Sequence, residues 1–407
     1  AVYNSGDTAK GMIAIMETLI ELFDERPLEN VLGVEMFRPK RVVYICPDDT
    51  DRDLVRKRLR KYFTHRGLSP ELVFVGASVY DSNAMKKTLC ETAARYPDCA
   101  MDITGGTDAA LFAAGRMSAE SRIPVFTYSR RMNRFYDILN APFAAGLDCG
   151  VEFCVEDFFI MAGGSMRSGR VDNAILKRYL GDIDPFFKLY LRYRKRWTDI
   201  VTYVQRVSPG EPDRPVSLLA RGSYTVKGER GSRISAPEEA LEALRDIGFI
   251  DRLEISPADS VSFRFRDEQI RRIMRDVGSV LELYVYKACL DSGLFDDVHT
   301  SAVVDWESDR RLNAVSNELD VVCSKGVMPV FISCKTGEVK TEALNELAVL
   351  RDRFGGKMAK AAIVTAERGS AGMRNRAGEL NIDVVDLDDL AADRINKRLA
   401  ALMRKEK

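Results

Sequence analysis

The chain is predicted to be an α/β protein in three parts. A doubly wound, parallel sheet occupies residues 1–165, a small helical module with a short hairpin occupies 166–266, and a second α/β domain occupies 267–407. Three observations predict this. Short β-branched runs alternate with helix-period segments through the first part, the signature of strands joined by crossover helices. Basic helical segments then replace that alternation, and a strand–turn–strand unit with carboxylates and a lysine lies at the centre of the last part.

In chain order, Met12–Phe23 reads as an amphipathic helix and Arg41–Cys46 (RVVYIC) as a strand closed by the turn PDDTD. Arg52–Tyr62 is a charged helix, ELVFVGAS a second strand, and Asn83–Arg95 a second crossover helix. CAMDITGG is a strand running into a glycine turn, TDAALFAAGRMSAE the helix after it, and PVFTYS another strand. Ligands of such sheets sit at the carboxyl ends of the strands, here PDDTD and TGGTD. Val171–Val207 is helical and basic, and a turn-rich stretch, SPGEPDRPVS, follows it. APEEALEALRDIGFIDRLE (helix, glycine turn, strand) and SVSFRFRD (strand) then complete a winged-helix-like module. From Asp267 the pattern is one long helix or two, a strand at Val298–Trp306, the hairpin, a helix at Thr341–Phe354, the strand AKAAIVTAE, a helix at Ser370–Leu380 and the strand IDVVDL.

Composition narrows the function classes. The 407 residues carry 61 Lys+Arg and 61 Asp+Glu, but Ser165–Ser235 holds 15 basic and 7 acidic residues, a local surplus of +8. Such a segment suits a phosphate backbone or is a solvated face. The 8 cysteines contain no C-x-x-C pair and there are only 2 histidines, which argues against a zinc site, a disulfide framework and a histidine-based triad. No apolar run reaches spanning length, so the expectation is a cytoplasmic protein. GSMRSGR (Gly164–Arg170) imitates a phosphate loop, but Arg170 and Val171 stand where lysine and a hydroxyl residue are needed,.

The hairpin NELDVVCSKGVMPVFISCKTG (Asn317–Gly337) carries the chemistry. Side chains alternate along a strand, so Glu318 and Asp320 share a face, as do Ser333 and Lys335 on the return strand. Two carboxylates form a hard oxygen site suited to Mg²⁺ or Mn²⁺. A lysine beside it can orient a water or neutralise transition-state charge, an arrangement suited to phosphodiester hydrolysis. A cross-strand ion pair would use the same residue types at little energetic gain.

In the first part, Gly105 and Gly106 permit close backbone approach, Thr104 and Thr107 offer hydroxyls, and Asp108 opens a helix whose N-terminus suits an anion. Asp48, Asp49 and Thr50 lie on the neighbouring strand-end loop. A routine N-cap and glycine turn would read the same.

The ordered series GSVLELYVY, DDVHTSAVVDW, NELDVV, VMPVFISCK and RFGGKMAKAAIV resembles the nuclease core of PD-(D/E)xK enzymes. In particular it resembles the version in CARF-domain effector nucleases of type III CRISPR systems. FDERPLENVLGV, RVVYICPDD and MDITGGTDAALFAAG resemble the Rossmann-like CARF domain of the same proteins. The resemblance implies that Asp320 binds metal and Lys335 is the catalytic lysine. Ser333 stands where a second acid belongs, and Glu318 and Glu282 are its candidate replacements, with Asp305 a further one. It also implies activation by cyclic tetra-adenylate bound across a homodimer, and DNA as substrate, with RNA a further candidate. A cyclic-oligoadenylate-sensing transcriptional regulator that binds DNA without cutting it, and a nuclease fold inactivated by Ser333, are the alternatives.

Overall fold

The computed structural model describes residues 16–78, 80–169, 171–208, 217–228, 231–257, 259–306 and 316–404. It divides into two compact units, 1–164 and 165–405.

The first unit contains β1 (Thr18–Leu22), α1 (Leu32–Phe37), β2 (Arg41–Pro47), α2 (Arg52–His65), β3 (Glu71–Ala77), α3 (Ser82–Arg95), β4 (Cys99–Asp102), α4 (Asp108–Ser118), β5 (Val125–Ser129), β6 (Arg134–Leu139), β7 (Leu147–Asp148) and α5 (Val155–Met161). The sheet order is β3-β2-β1-β4-β5-β6-β7. β3 through β5 run parallel, and β6 and β7 are antiparallel additions that the sequence pattern did not reveal. One expected element is corrected. The helix read at Met12–Phe23 is, in its described part, the central strand β1, with every residue of TLIEL buried. A short apolar run buried on both faces has no period that separates strand from helix. Residues 12–15 lie outside the described residues. Asp51, Asp81 and Thr107 cap α2, α3 and α4 with their side chains, which fixes where each crossover helix starts,.

The second unit begins with β8 (Ser165–Ser168), α6 (Asn173–Leu176), α7 (Leu180–Tyr193), α8 (Trp197–Val207), β9 (Leu219–Ser223), β10 (Thr225–Lys227), β11 (Arg233–Ser235), α9 (Glu238–Ile247), β12 (Ile250–Ser256) and β13 (Ser260–Phe265). Most of the SPGEPDRPVS stretch lies outside the described residues. α9 ends at Gly248, whose φ of 84° forms a left-handed cap before β12,. A three-stranded sheet, β12-β13-β9, packs beside α9 in this region.

The chain continues with α10 (Glu268–Met274), α11 (Ser279–Asp291), β14 (Asp297–Asp305), β15 (Ser316–Lys325), β16 (Met328–Lys335), α12 (Thr341–Gly355), β17 (Lys360–Thr365), α13 (Ala371–Glu379), β18 (Ile382–Val385), α14 (Leu387–Ala391) and α15 (Ile395–Arg404). Its sheet runs β18-β17-β16-β15-β14-β8. Ser165–Ser168 of the stretch that imitates a phosphate loop form the edge strand β8, paired with β14. One apolar cluster joins α7 and α8 to α11 and to one face of this sheet. Within it Phe187 stacks on Tyr284 at 3.6 Å between ring centroids, and the Trp197 indole donates to the Val277 carbonyl at 3.3 Å.

Candidate active site

The β15–β16 hairpin turns at Gly326 (φ 55°) and pairs Val321 with Ile332. Beyond that pair the strands diverge, and three groups converge on one carboxylate oxygen. Asp320 Oδ2 accepts from the Ser333 hydroxyl at 3.0 Å and from the Cys334 amide at 2.6 Å, and it lies 3.5 Å from Lys335 Nζ. This convergence leaves Oδ1 for another partner. Lys335 is 40% exposed and Asp320 15%, so the pair sits at a solvent-reachable rim where an ion pair adds little stability.

Glu318 takes a different direction. Its carboxylate accepts from the Ser301 hydroxyl at 2.7 Å. Ser301 stands opposite Asp320 on β14 and has a φ of 51°, an uncommon conformation outside glycine,. The neighbouring Thr300 hydroxyl donates to the Asp320 carbonyl at 2.7 Å. Asn173 brackets this kink, accepting from the Thr300 amide at 2.9 Å and donating to its carbonyl at 3.0 Å.

Glu282 is buried in the first turn of α11. Burial pushes the Cys334 thiol well up, and the charges of Asp320 and Glu282 push it further. Both acids therefore lie close to the hairpin at Cys334. Among the described residues the carboxylates of Asp320, Glu318 and Glu282 do not gather within 4.8 Å of one another. Asp305 lies at the far end of β14, 3.9 Å from Arg167. A cleft of about 400 Å³ opens beyond Lys335, lined in part by Glu338, Thr365, Glu367, Arg368 and Ser370.

In the first unit the residues of TGGTD are used by the fold itself. The Thr104 amide and hydroxyl donate to Asp102 Oδ1, at 2.7 and 2.5 Å, and its hydroxyl accepts from the Tyr128 amide at 2.8 Å. A Cβ at Gly105 would stand 2.9 Å from Asp24 Cβ and 3.0 Å from the Leu22 carbonyl. Gly106 has a φ of 99°, and its amide donates to Asp24 Oδ2 at 3.2 Å. Thr107 is the N-cap of α4, and Asp108 is exposed at its start. Asp48 bends back over Gly76, Asp49 is exposed, and the Thr50 amide closes the turn onto the Pro47 carbonyl at 3.1 Å.

The sheet order reverses between β1 and β4, the position at which such sheets bind ligands. The loops after these two strands meet there, while Asp48–Thr50 follow β2, one strand away. Sequence reasoning missed the charges in the β1 loop. Arg26 binds Asp24 through two nitrogens, at 2.8 and 2.6 Å, and Glu29 pairs with Arg130 from the end of β5. Burial and the nearby Arg26 charge hold the Arg130 guanidinium below its usual range. Two cations therefore flank the switch point.

Comparison with known proteins adds the family. Residues 267–404 match the family described as Card1-like, endonuclease domain. The C-terminal third is similar to a Card1-like endonuclease domain. A search of curated proteins gives no match. Two solved structures share the fold over nearly the whole chain. Protein VC1899 from Vibrio cholerae aligns with a TM-score of 0.71 at 16% identity, covering 94% of this chain and 97% of its own. Can2 from Sulfobacillus thermosulfidooxidans, solved in complex with cyclic tetra-adenylate, aligns with a TM-score of 0.68 at 17% identity, covering 94% of this chain and 98% of its own.

The endonuclease domain thus includes the hairpin, Glu282 and the Ser301 kink. Ser301 and Asn173 carried no signal in the sequence, because a hydroxyl and an amide acquire meaning only through strand pairing. Arg26 and Arg130 were legible only as surface charges until the sheet order set them at the switch point.

Proposed function

We propose that this protein is a metal-dependent nuclease switched on by cyclic tetra-adenylate, acting on DNA, with RNA a further substrate, in type III CRISPR defence. In this reading residues 1–165 sense the ligand, 166–266 link the two activities, and 267–407 hydrolyse phosphodiesters in a cytoplasmic homodimer. The observation that carries it is the convergence of Asp320, Ser333 and Lys335 at the rim of a Card1-like endonuclease domain. Among the described residues no helix is long and apolar enough to cross a membrane.

The donor set fits a hard cation. Asp320 Oδ1 would hold it, with Glu282 and Glu318 as the acids assigned to complete its oxygen shell. Bound there, Mg²⁺ or Mn²⁺ would polarise the scissile phosphate and favour a hydroxide nucleophile. Lys335 holds an ammonium 3.5 Å from Asp320, where it orients the attacking water and offsets charge building on the phosphate oxygens. Ser333 donates to Asp320 and so orients that carboxylate, in place of supplying a charge of its own.

In the first unit Arg26 and Arg130 would meet the ligand's phosphates at the switch point. Thr107, Asp108, Asp49 and Thr50 line the neighbouring strand ends, while Thr104, Gly105, Gly106 and Asp48 shape the loops. The fold shared with Can2, solved with cyclic tetra-adenylate, supports this ligand class. Exposed Tyr80 and Phe112 side chains support a paired surface.

The test incubates the purified protein with supercoiled plasmid, single-stranded DNA and RNA in Mg²⁺ or Mn²⁺, with and without cyclic tetra-adenylate, beside Lys335→Ala. Cleavage that requires both the ligand and Lys335 is expected. Ligand binding with no cleavage of any substrate would overturn the nuclease reading.

A further inference from the structure

Away from both sites, the end of α2 meets the start of α5. His65 is the last residue of α2, Cys154 is the N-cap of α5, and Asp157 lies in its first turn. One nitrogen, one sulfur and one oxygen from these three side chains lie within 4.8 Å of one another. His65 is far in the chain from Cys154 and Asp157, which are three residues apart, so spacing arguments that look for C-x-x-C pairs give no sign of the cluster.

Asp157 is fully buried. Its Oδ2 accepts from the Cys154 amide at 2.8 Å and from Arg66 at 3.0 Å. Its Oδ1 is buried and accepts no hydrogen bond. A buried carboxylate oxygen without a donor is costly. His65 Nε2 lies 3.3 Å from it. Zinc binds histidine nitrogen and carboxylate oxygen at about 2.0–2.2 Å, which makes the edge of a tetrahedral site about 3.4 Å long. The observed separation matches that edge.

We propose that His65, Cys154 and Asp157 bind a transition-metal ion of the Zn²⁺ class, leaving its fourth position to solvent. Mixed nitrogen, sulfur and oxygen donors select zinc over the hard cations suited to Asp320. The surroundings hold the three ligands in place. Arg66 fixes Asp157 and also donates to Glu35 Oε1 at 2.9 Å, so its charge is shared with a second buried carboxylate. Its guanidinium lies over the Phe153 ring at 5.3 Å, and Phe153 meets Tyr62 edge-on. His65 is 33% exposed, which gives the ion a way in from solvent. The bound ion would tie α2 to the last helix of the first unit. This inference does not depend on the nuclease reading.

The test titrates Co²⁺ into chelator-stripped full-length protein and follows the near-ultraviolet thiolate-to-cobalt charge-transfer band, with Zn²⁺ as competitor. Cys154→Ser, His65→Asn and, as a control on the exposed thiol, Cys90→Ser are compared. A band saturating at one equivalent is expected, kept in Cys90→Ser, lost in Cys154→Ser and weakened at least about tenfold in His65→Asn. His65 lies at the surface, so its variant folds even if Cys154→Ser does not. No band, or one that survives Cys154→Ser or is unmoved by His65→Asn, would overturn the site.

Discussion

Asp102→Asn is expected to stabilise the first unit at alkaline pH and flatten its pH dependence. Glu21 and Asp102 face each other in register on β1 and β4, both buried. Asp102 Oδ2 and both Glu21 oxygens lack hydrogen-bond partners. A Cβ at Gly33 would lie 2.6 Å from Asp102 Oδ2 and 2.8 Å from Glu21 Oε1, so the two carboxyls crowd one small space. Burial pushes Asp102 from 3.8 up to about 7, with the Thr104 donors opposing it, and burial and the Asp102 charge push Glu21 well up. The sign follows from linkage. A carboxyl whose folded value is raised favours folding fully below its unfolded value near 4, and that advantage is lost as pH rises through about 7. Three pH units correspond to about 4 kcal/mol, of which about 3 falls between pH 5 and 8. Asparagine keeps the Oδ1 acceptor for Thr104 and offers an N–H to Glu21. Hydrogen exchange of peptides spanning β1 and β4, measured at pH 5 and pH 8, reads the stability of this unit directly. The wild type should lose protection by about 3 kcal/mol more than the variant across that range. Parallel losses would refute the raised, buried Asp102 carboxyl.

Four further outcomes test the two sites. Lys335→Ala should abolish ligand-stimulated cleavage while leaving the melting temperature within a few degrees, because a half-exposed ion pair adds at most about 1 kcal/mol; a collapse of the fold would show a structural role instead. Glu282→Gln should raise the metal concentration for half-maximal cleavage by about tenfold or more, and an unchanged metal titration would remove Glu282 from the ligand set. Arg130→Ala should weaken cyclic tetra-adenylate binding by roughly 10- to 100-fold through loss of a phosphate contact, as measured by calorimetry, with basal fold intact. Gly105→Ala should destabilise the first unit by about 1–3 kcal/mol, because the added methyl meets Asp24 Cβ at 2.9 Å and backbone at 3.0 Å; an unchanged thermal melt would show that the loop yields.

By itself the sequence determined the alternation of elements, the hairpin with Asp320 and Lys335 on one face, and the endonuclease resemblance of the last third. These are local properties: period-2 runs, turn residues and caps depend on near neighbours. β1 was misread as helix because burial on both faces erases the period that separates the two. Tertiary structure alone decided what the charges do. It turned Glu318 to Ser301 and gathered three donors on one oxygen of Asp320. It also placed the Arg26 and Arg130 loops at the strand-order reversal, and brought His65 to Cys154 and Asp157. The donors on Asp320 come from its own hairpin partner, but their aim depends on where the two strands part; the other outcomes rest on pairing between segments distant in the chain, which no local pattern encodes.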